Sequence, residues 1–202
     1  MKNKVQKPVV ILIGGYAGTG KSTLAKSLSQ KNNDIVVLPT GIIRAILQLQ
    51  SNGTESELLK TPSYNLATLA SKSKRDDAYS LFHKQAQLVS EAIKSTINFM
   101  AVERQSIIIE GNHILPDMYY EQPECLVITI FLTVSDSTKH QKMLGGITHD
   151  RVFTKKQLAT AEFLKHEIDK VIVNEHRQFF DETQHDAAAE YVQDIITRSI
   201  GV

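Results

Sequence analysis

The stretch "VVILIGGYAGTGKSTLA", Val9 to Ala25, constrains the fold more tightly than any other part of the chain. Val9 to Ile13 is a short, branched, unbroken apolar run, the pattern of a strand covered on both faces, and such strands belong to parallel sheets flanked by helices. The run enters a turn carrying Gly15, Gly18 and Gly20 and then, from Ser22 to Gln30, a helical pattern. Gly15 to Ser22, "GYAGTGKS", fits G-x-x-x-x-G-K-[ST] in the strand-to-helix context that gives this motif its meaning. The glycines let the backbone curl until the amides of Gly15, Ala17, Gly18, Thr19 and Gly20 face one concavity shaped for a phosphate. The helix that follows adds unpaired amides and its positive end. Lys21 is expected to reach the β and γ phosphates of a nucleoside triphosphate, Ser22 to supply a hydroxyl to Mg²⁺, and Thr23 to stand as a second hydroxyl.

The rest of the chain repeats the alternation of strand and helix. Ile107 to Ile109 closing on Glu110 and Leu126 to Leu132 read as further buried strands, and Ile35 to Leu38, after the turn-like "KNND", as a fourth strand. Helical spacing covers Gly41 to Gln50, Asp76 to Met100 and Lys155 to about Asn174, and returns in the last segment at Ala188, Tyr191, Val192, Ile195 and Ile196. Strands alternating with helices predict a three-layer α/β domain over residues 1–202. Residues 51–80 are polar and turn-rich, with Pro62 among them, and are expected to form an insert of one or two short helices over the sheet edge where ligands bind. Residues 135–153, with Gly145 and Gly146 side by side, suit either a lid or an ordinary surface loop.

With 23 basic and 22 acidic residues the chain has no electrostatic footprint for nucleic acid, so a polyanion must be gripped locally. The single cysteine, Cys125, lies in an apolar run, reads as a small buried hydrophobe and excludes a disulfide framework. No apolar run approaches the length of a membrane span, and the basic start "MKNKVQKP" leads into a run too short for a signal-peptide core. A cytoplasmic location is the expectation that follows.

Glu110 ends its strand at the sheet edge, where a carboxylate can hold a Mg²⁺-bound water or accept a proton. His113 follows three residues on and is either a substrate contact or a structural histidine. Asp34, before the second strand, stands at the end of the sheet away from the phosphates and is a poor proton acceptor.

The chain also offers "LPTGIIR" with Thr40 and Arg44, "TPSYNLA" with Ser63 and Tyr64, "FHKQAQLVSEAI" with Gln85, and "IIIEGNHILP" with Glu110, His113 and Pro116. In order and spacing these segments resemble the 2-phosphoglycerate kinase family of P-loop kinases, over about residues 9 to 180. That resemblance implies a P-loop NTPase fold with a doubly wound sheet of about five strands in the order 2-3-1-4-5. It also implies ATP as donor and a small phosphorylated acid as acceptor. Thr40, Arg44, Ser63, Tyr64, Gln85 and His113 become expected acceptor contacts, with Arg44 gripping an anion. Lys21, Glu110 and Arg44 become the catalytic set, and Ser22 and Glu110 the metal ligands.

Two departures stand out. Gly41 occupies the position where the family carries an aspartate placed to take a proton from the attacking hydroxyl. The lid is poor in arginine, leaving Lys142 and Arg151 to neutralise the triphosphate, with Lys139 nearby. Two readings follow: a Mg²⁺-dependent kinase acting on a small hydroxylated anion, or a nucleotide-binding or regulatory module that transfers little or nothing.

Overall fold

A computed structural model describes residues 7–33, 35–73, 77–145 and 152–200. Strand β1 (Val9–Gly14) is buried along its whole length. Because side chains alternate across a strand, Val10 and Leu12 face one layer while Val9, Ile11 and Ile13 face the other. Each buried Val, Ile or Leu contributes about 1.5–3 kcal/mol, so this strand alone ties the two apolar layers together.

The chain leaves β1 through the glycine turn into α1 (Lys21–Lys31) and returns as β2 (Val36–Pro39). It continues through α2 (Thr40–Gln50), α3 (Gly53–Lys60), a 3-10 turn (Ser63–Asn65), α4 (Leu66–Ser73) and the long α5 (Ala78–Glu103) to β3 (Ile107–Glu110). Then come β4 (Leu126–Leu132), α6 (Ser137–Gly145), α7 (Lys155–Asn174), β5 (Phe179–Phe180) and α8 (His185–Ile200). The sheet is parallel in the order β2-β3-β1-β4-β5. One core layer gathers α5 and α7 residues such as Phe82, Val89, Ile93, Leu164 and Ile168 against Val10 and Leu12. The other gathers Leu24, Leu28, Ala188 and Val192 from α1 and α8. Cys125 is buried, as its apolar context implied.

Differences from the sequence expectation are local and have simple causes. The fifth strand is two residues long, and "FF" carries no periodicity of its own. It exists because Phe131 and Leu132 of β4 offer it a parallel edge. The insert holds the two short helices α3 and α4, with the 3-10 turn between them. α5 begins at Ala78, after Asp77 has capped it by accepting the Ser80 amide at 2.7 Å. The lid stretch opens as a helix, with Asp136 receiving the amides of Thr138 and Lys139. Asp34, Asp76, Gly146 and Arg151 lie outside the described residues.

The register brings the site together. Ile13 and Pro39 both pair with Glu110, and the Gly111 amide donates to the Ile13 carbonyl at 3.0 Å, so the ends of β1, β2 and β3 finish at one level. Two glycines permit this close approach. Gly15, at φ +120°, lies so near the Leu132 carbonyl that any Cβ would overlap it, and Gly111, at φ +155°, lies equally close to the Thr40 hydroxyl.

Candidate active site

α1 starts directly after Gly20, which is left-handed, and no side chain caps its first turn among the described residues. The first-turn amides therefore face the concavity rather than a capping oxygen. Lys21 is buried; its Nζ donates to the Tyr16 carbonyl at 2.5 Å and lies 3.4 Å from the Thr19 hydroxyl. Burial lowers its pKa to about 8, with Glu110 pulling the other way. The Ser22 hydroxyl donates to Glu110 Oε1 at 2.9 Å, joining the loop to the end of β3.

The residues expected to contact an acceptor form a second group around the start of α2. Thr40 is fully buried, and its hydroxyl is 2.9 Å from His113 Nδ1. His113 Nε2 is 3.2 Å from Gln85 Oε1, while the Gln85 amide donates to the carbonyls of Leu58 and Thr61 at 2.6 and 2.9 Å. Since those donations commit the Gln85 nitrogen, its oxygen accepts from Nε2–H, and Nδ1 is left to accept from Thr40. Both ring nitrogens are thus engaged by a neutral imidazole. Burial, with Arg44 and Lys21 nearby, lowers the His113 pKa to about 3.

That shift has a sign. Below pH 6.5 the unfolded chain takes up a proton at His113 that the folded chain refuses, so stability falls progressively as pH drops from about 6.5 towards 3, by up to about 1.4 kcal/mol per unit. Urea unfolding of wild type and His113→Asn between pH 4 and 7 should show the shallower slope in the variant. The His113 ring resonances should stay flat from pH 5 to 8; a midpoint near 6.5 would contradict the buried, doubly bonded arrangement.

Arg44 Nη1 donates to the Leu59 carbonyl at 2.5 Å and is 3.4 Å from that of Thr61. Two backbone oxygens of the insert therefore aim the guanidinium. Ser63 lies within 3.1 Å of the Tyr16 hydroxyl and accepts from Asn112 Nδ2 at 3.2 Å. Tyr64 stacks edge-on against Phe153, whose neighbour Thr154 forms a capping box with Gln157 at the start of α7.

One cavity of about 850 Å³ joins the two groups. Ala17, Gly18, Gly20, Lys21, Ser22 and Thr23 line it from the loop, and Thr40, Arg44, Ser63, Tyr64, Gln85 and His113 from the acceptor side, with Glu110 also lining it. Lys142 reaches it from α6. Gly15 and Thr19 do not line it: Gly15 is seated against Leu132, and the Thr19 hydroxyl turns back to the Tyr16 carbonyl at 2.9 Å. Lys139, Met143 and Leu144 line it as well, because α6 rests on the loop, with His140 Nε2 2.8 Å from the Ala17 carbonyl. Asn112 and Tyr16 were missed in the sequence. Asn112 sits between two expected site residues, Glu110 and His113, so its neighbourhood carried a signal; Tyr16 carried none, since its loop position contributes only backbone to the motif.

A parallel sheet in this order with a phosphate loop after its central strand and a joined cavity beyond its carboxyl edge defines a P-loop kinase-type domain. A shikimate kinase from Acinetobacter baumannii in complex with shikimate shares the fold, with a TM-score of 0.50 at 11% identity over 95% of this chain and 94% of that one. A structure from Chloroflexus aurantiacus has a TM-score of 0.53 at 13% identity over 96% and 99%. Within that class the chain is similar in sequence to proteins named 2-phosphoglycerate kinase. The 2-phosphoglycerate kinase of Methanocaldococcus jannaschii is 33% identical over 144 residues, 67% of this chain and 45% of that protein. That of Methanococcus maripaludis strain C5 is 28% identical over 180 residues, 84% and 57%. The chain therefore spans about half the length of these curated relatives. No family model matches it.

Proposed function

We propose that the domain transfers a phosphoryl group from ATP, with Mg²⁺, to a small anionic hydroxylated metabolite of the 2-phosphoglycerate type. The observation that carries this reading is the single cavity lined at once by the phosphate loop and by Arg44, Ser63, Gln85 and His113. Donor and acceptor can meet there without crossing solvent.

The loop amides and the start of α1 bind the β and γ phosphates, and Lys21 exchanges the Tyr16 carbonyl for them. Transfer of this kind runs through a loose transition state, so positioning and charge neutralisation matter more than covalent help. Ser22 and Glu110 present a hydroxyl and a carboxylate oxygen at one point, a hard-oxygen donor pair that fits Mg²⁺. The ion would supply charge neutralisation between the phosphates. Arg44, aimed by the insert, grips the acceptor's phosphate or carboxylate as a fork. Lys142 adds positive charge from α6, and Arg151 is proposed to join it. His113, neutral and buried, fixes Thr40 and Gln85 rather than moving a proton.

Labelled ATP offered with 2-phosphoglycerate and a panel of phosphorylated hydroxy acids, sugars and nucleosides tests the reading: transfer to a phosphorylated hydroxy acid is expected. Tight ATP binding with no labelled acceptor would instead support a nucleotide-binding module, the reading that Gly41 favours. Arg44→Ala should raise the acceptor KM by about 10- to 100-fold, the value of a charge-assisted pair, with a smaller change in the KM for ATP. An acceptor KM left in place would remove Arg44 from the acceptor pocket.

A further inference from the structure

Tyr16 touches both halves of the site, yet the proposed chemistry gives its side chain no part. Its ring is 1% exposed, held edge-on by Phe82 of α5 at 6.1 Å and by His140 of α6 at 6.3 Å. Its carbonyl holds the Lys21 ammonium and the Thr19 hydroxyl. Its hydroxyl meets Ser63 Oγ at 3.1 Å, and Ser63 in turn accepts from Asn112 at 3.2 Å. The hydrogen-bonded path therefore runs from the phosphate-binding lysine, through one residue, to two side chains of the acceptor wall.

Lys21 cannot serve the Tyr16 carbonyl and a triphosphate equally. When it turns to the phosphates, the Tyr16 peptide loses a charge-assisted partner, and the loop can settle around the nucleotide. The ring is clamped between α5 and α6, so a change in the backbone is passed on to the hydroxyl rather than absorbed by free rotation. Burial keeps the phenol protonated, so the link to Ser63 persists over the ordinary pH range.

We propose that Tyr16 is a positioning residue that couples the two halves: nucleotide in the loop resets Ser63 and Asn112 and so raises the affinity for the acceptor. The coupling is reciprocal, because linkage requires the acceptor to tighten nucleotide binding by the same factor. This rests on the two-substrate reading above for its acceptor half, while its nucleotide half stands on the loop alone.

Two measurements separate the cases. In the first, the side-chain amide resonance of Asn112 is followed while Mg²⁺ and β,γ-imido-ATP are added without acceptor. It should shift in wild type and stay in place in Tyr16→Phe, which keeps the ring and still binds the analogue. An analogue that binds wild type without moving Asn112 overturns the coupling, whatever the acceptor. In the second, 2-phosphoglycerate affinity is measured calorimetrically with and without the analogue. A ratio of about fivefold or more is expected in wild type, within the usual range for coupled sites. It should fall towards one in Tyr16→Phe, in Ser63→Ala and, without further loss, in the double variant; Ser63→Ala carries the test should Tyr16→Phe fold poorly. A full ratio surviving in these variants overturns the proposal. If Asn112 responds to nucleotide but 2-phosphoglycerate does not bind, the coupling is supported and the choice of acceptor is overturned.

Discussion

Lys21→Ala should abolish phosphoryl transfer and reduce binding of Mg²⁺ and β,γ-imido-ATP below easy detection. Lys21 is the one charged side chain that the loop motif itself carries into the cavity, and it is buried there. An ammonium in such a place interacts with a triphosphate far more strongly than one in water, and removing a single preorganised group aimed at transition-state charge costs about 10²–10³ in rate. The fold should survive, because alanine is a good helix former at the start of α1 and the group removed is a buried, desolvated cation. Calorimetric titration with the analogue, alongside a thermal melt, checks both statements. A variant that melts like wild type and still binds the analogue tightly would remove the loop from nucleotide binding.

Gly41→Asp is the second large effect, and here the outcome decides between the two functional readings. Gly41 is the second residue of α2, beside Thr40 and lining the cavity, and a Cβ built on it meets nothing within 4 Å. The substitution is therefore sterically open. Exchanging a helix glycine for aspartate gains only a few tenths of a kcal/mol, since aspartate ranks little above glycine as a helix former, and an acidic group in the first turn adds about 0.3–1 kcal/mol. The melting temperature should rise by a few degrees. If the acceptor attacks through a hydroxyl, a carboxylate restored at this position should speed transfer by about 10²- to 10⁴-fold, the ordinary yield of a general base. A variant that is more stable but no faster, assayed with labelled ATP, would show that the proton leaves by another route or that the domain does not transfer. The same assay on Glu110→Gln would show whether Glu110 is that route.

Much of the fold is legible before any coordinates. Val9 to Ile13, Ile107 to Glu110 and Leu126 to Leu132 announce buried parallel strands because a strand covered on both faces is a near-continuous apolar run rather than an alternating one. The helix after "GTGKS" is equally plain, since the motif works only at a helix start. Phe179–Phe180 is legible only in space: two residues have no period, and their strand character comes from the edge of β4. The lid divides in the same way. Its charges are visible in sequence, but the docking of α6 on the loop, through His140 and Leu144, depends on side chains more than a hundred positions from Ala17 and Gly18.

The candidate site follows the same division. Taken by itself, the sequence determined the phosphate-loop motif with its lysine and hydroxyl, because these are set by local backbone geometry in consecutive residues, and it marked Glu110 as the polar end of a strand. Only the tertiary structure decided that Arg44, Ser63, Gln85 and His113 share one cavity with that loop, that His113 is a neutral structural hub, and that Tyr16 spans both halves. The reason is physical. A phosphate cradle is built from neighbouring amides and is written into eight successive positions. The proposed acceptor pocket is built from side chains on separate elements, and their meeting is set by the strand register of Ile13 and Pro39 on Glu110 and by the packing of the insert over the sheet edge.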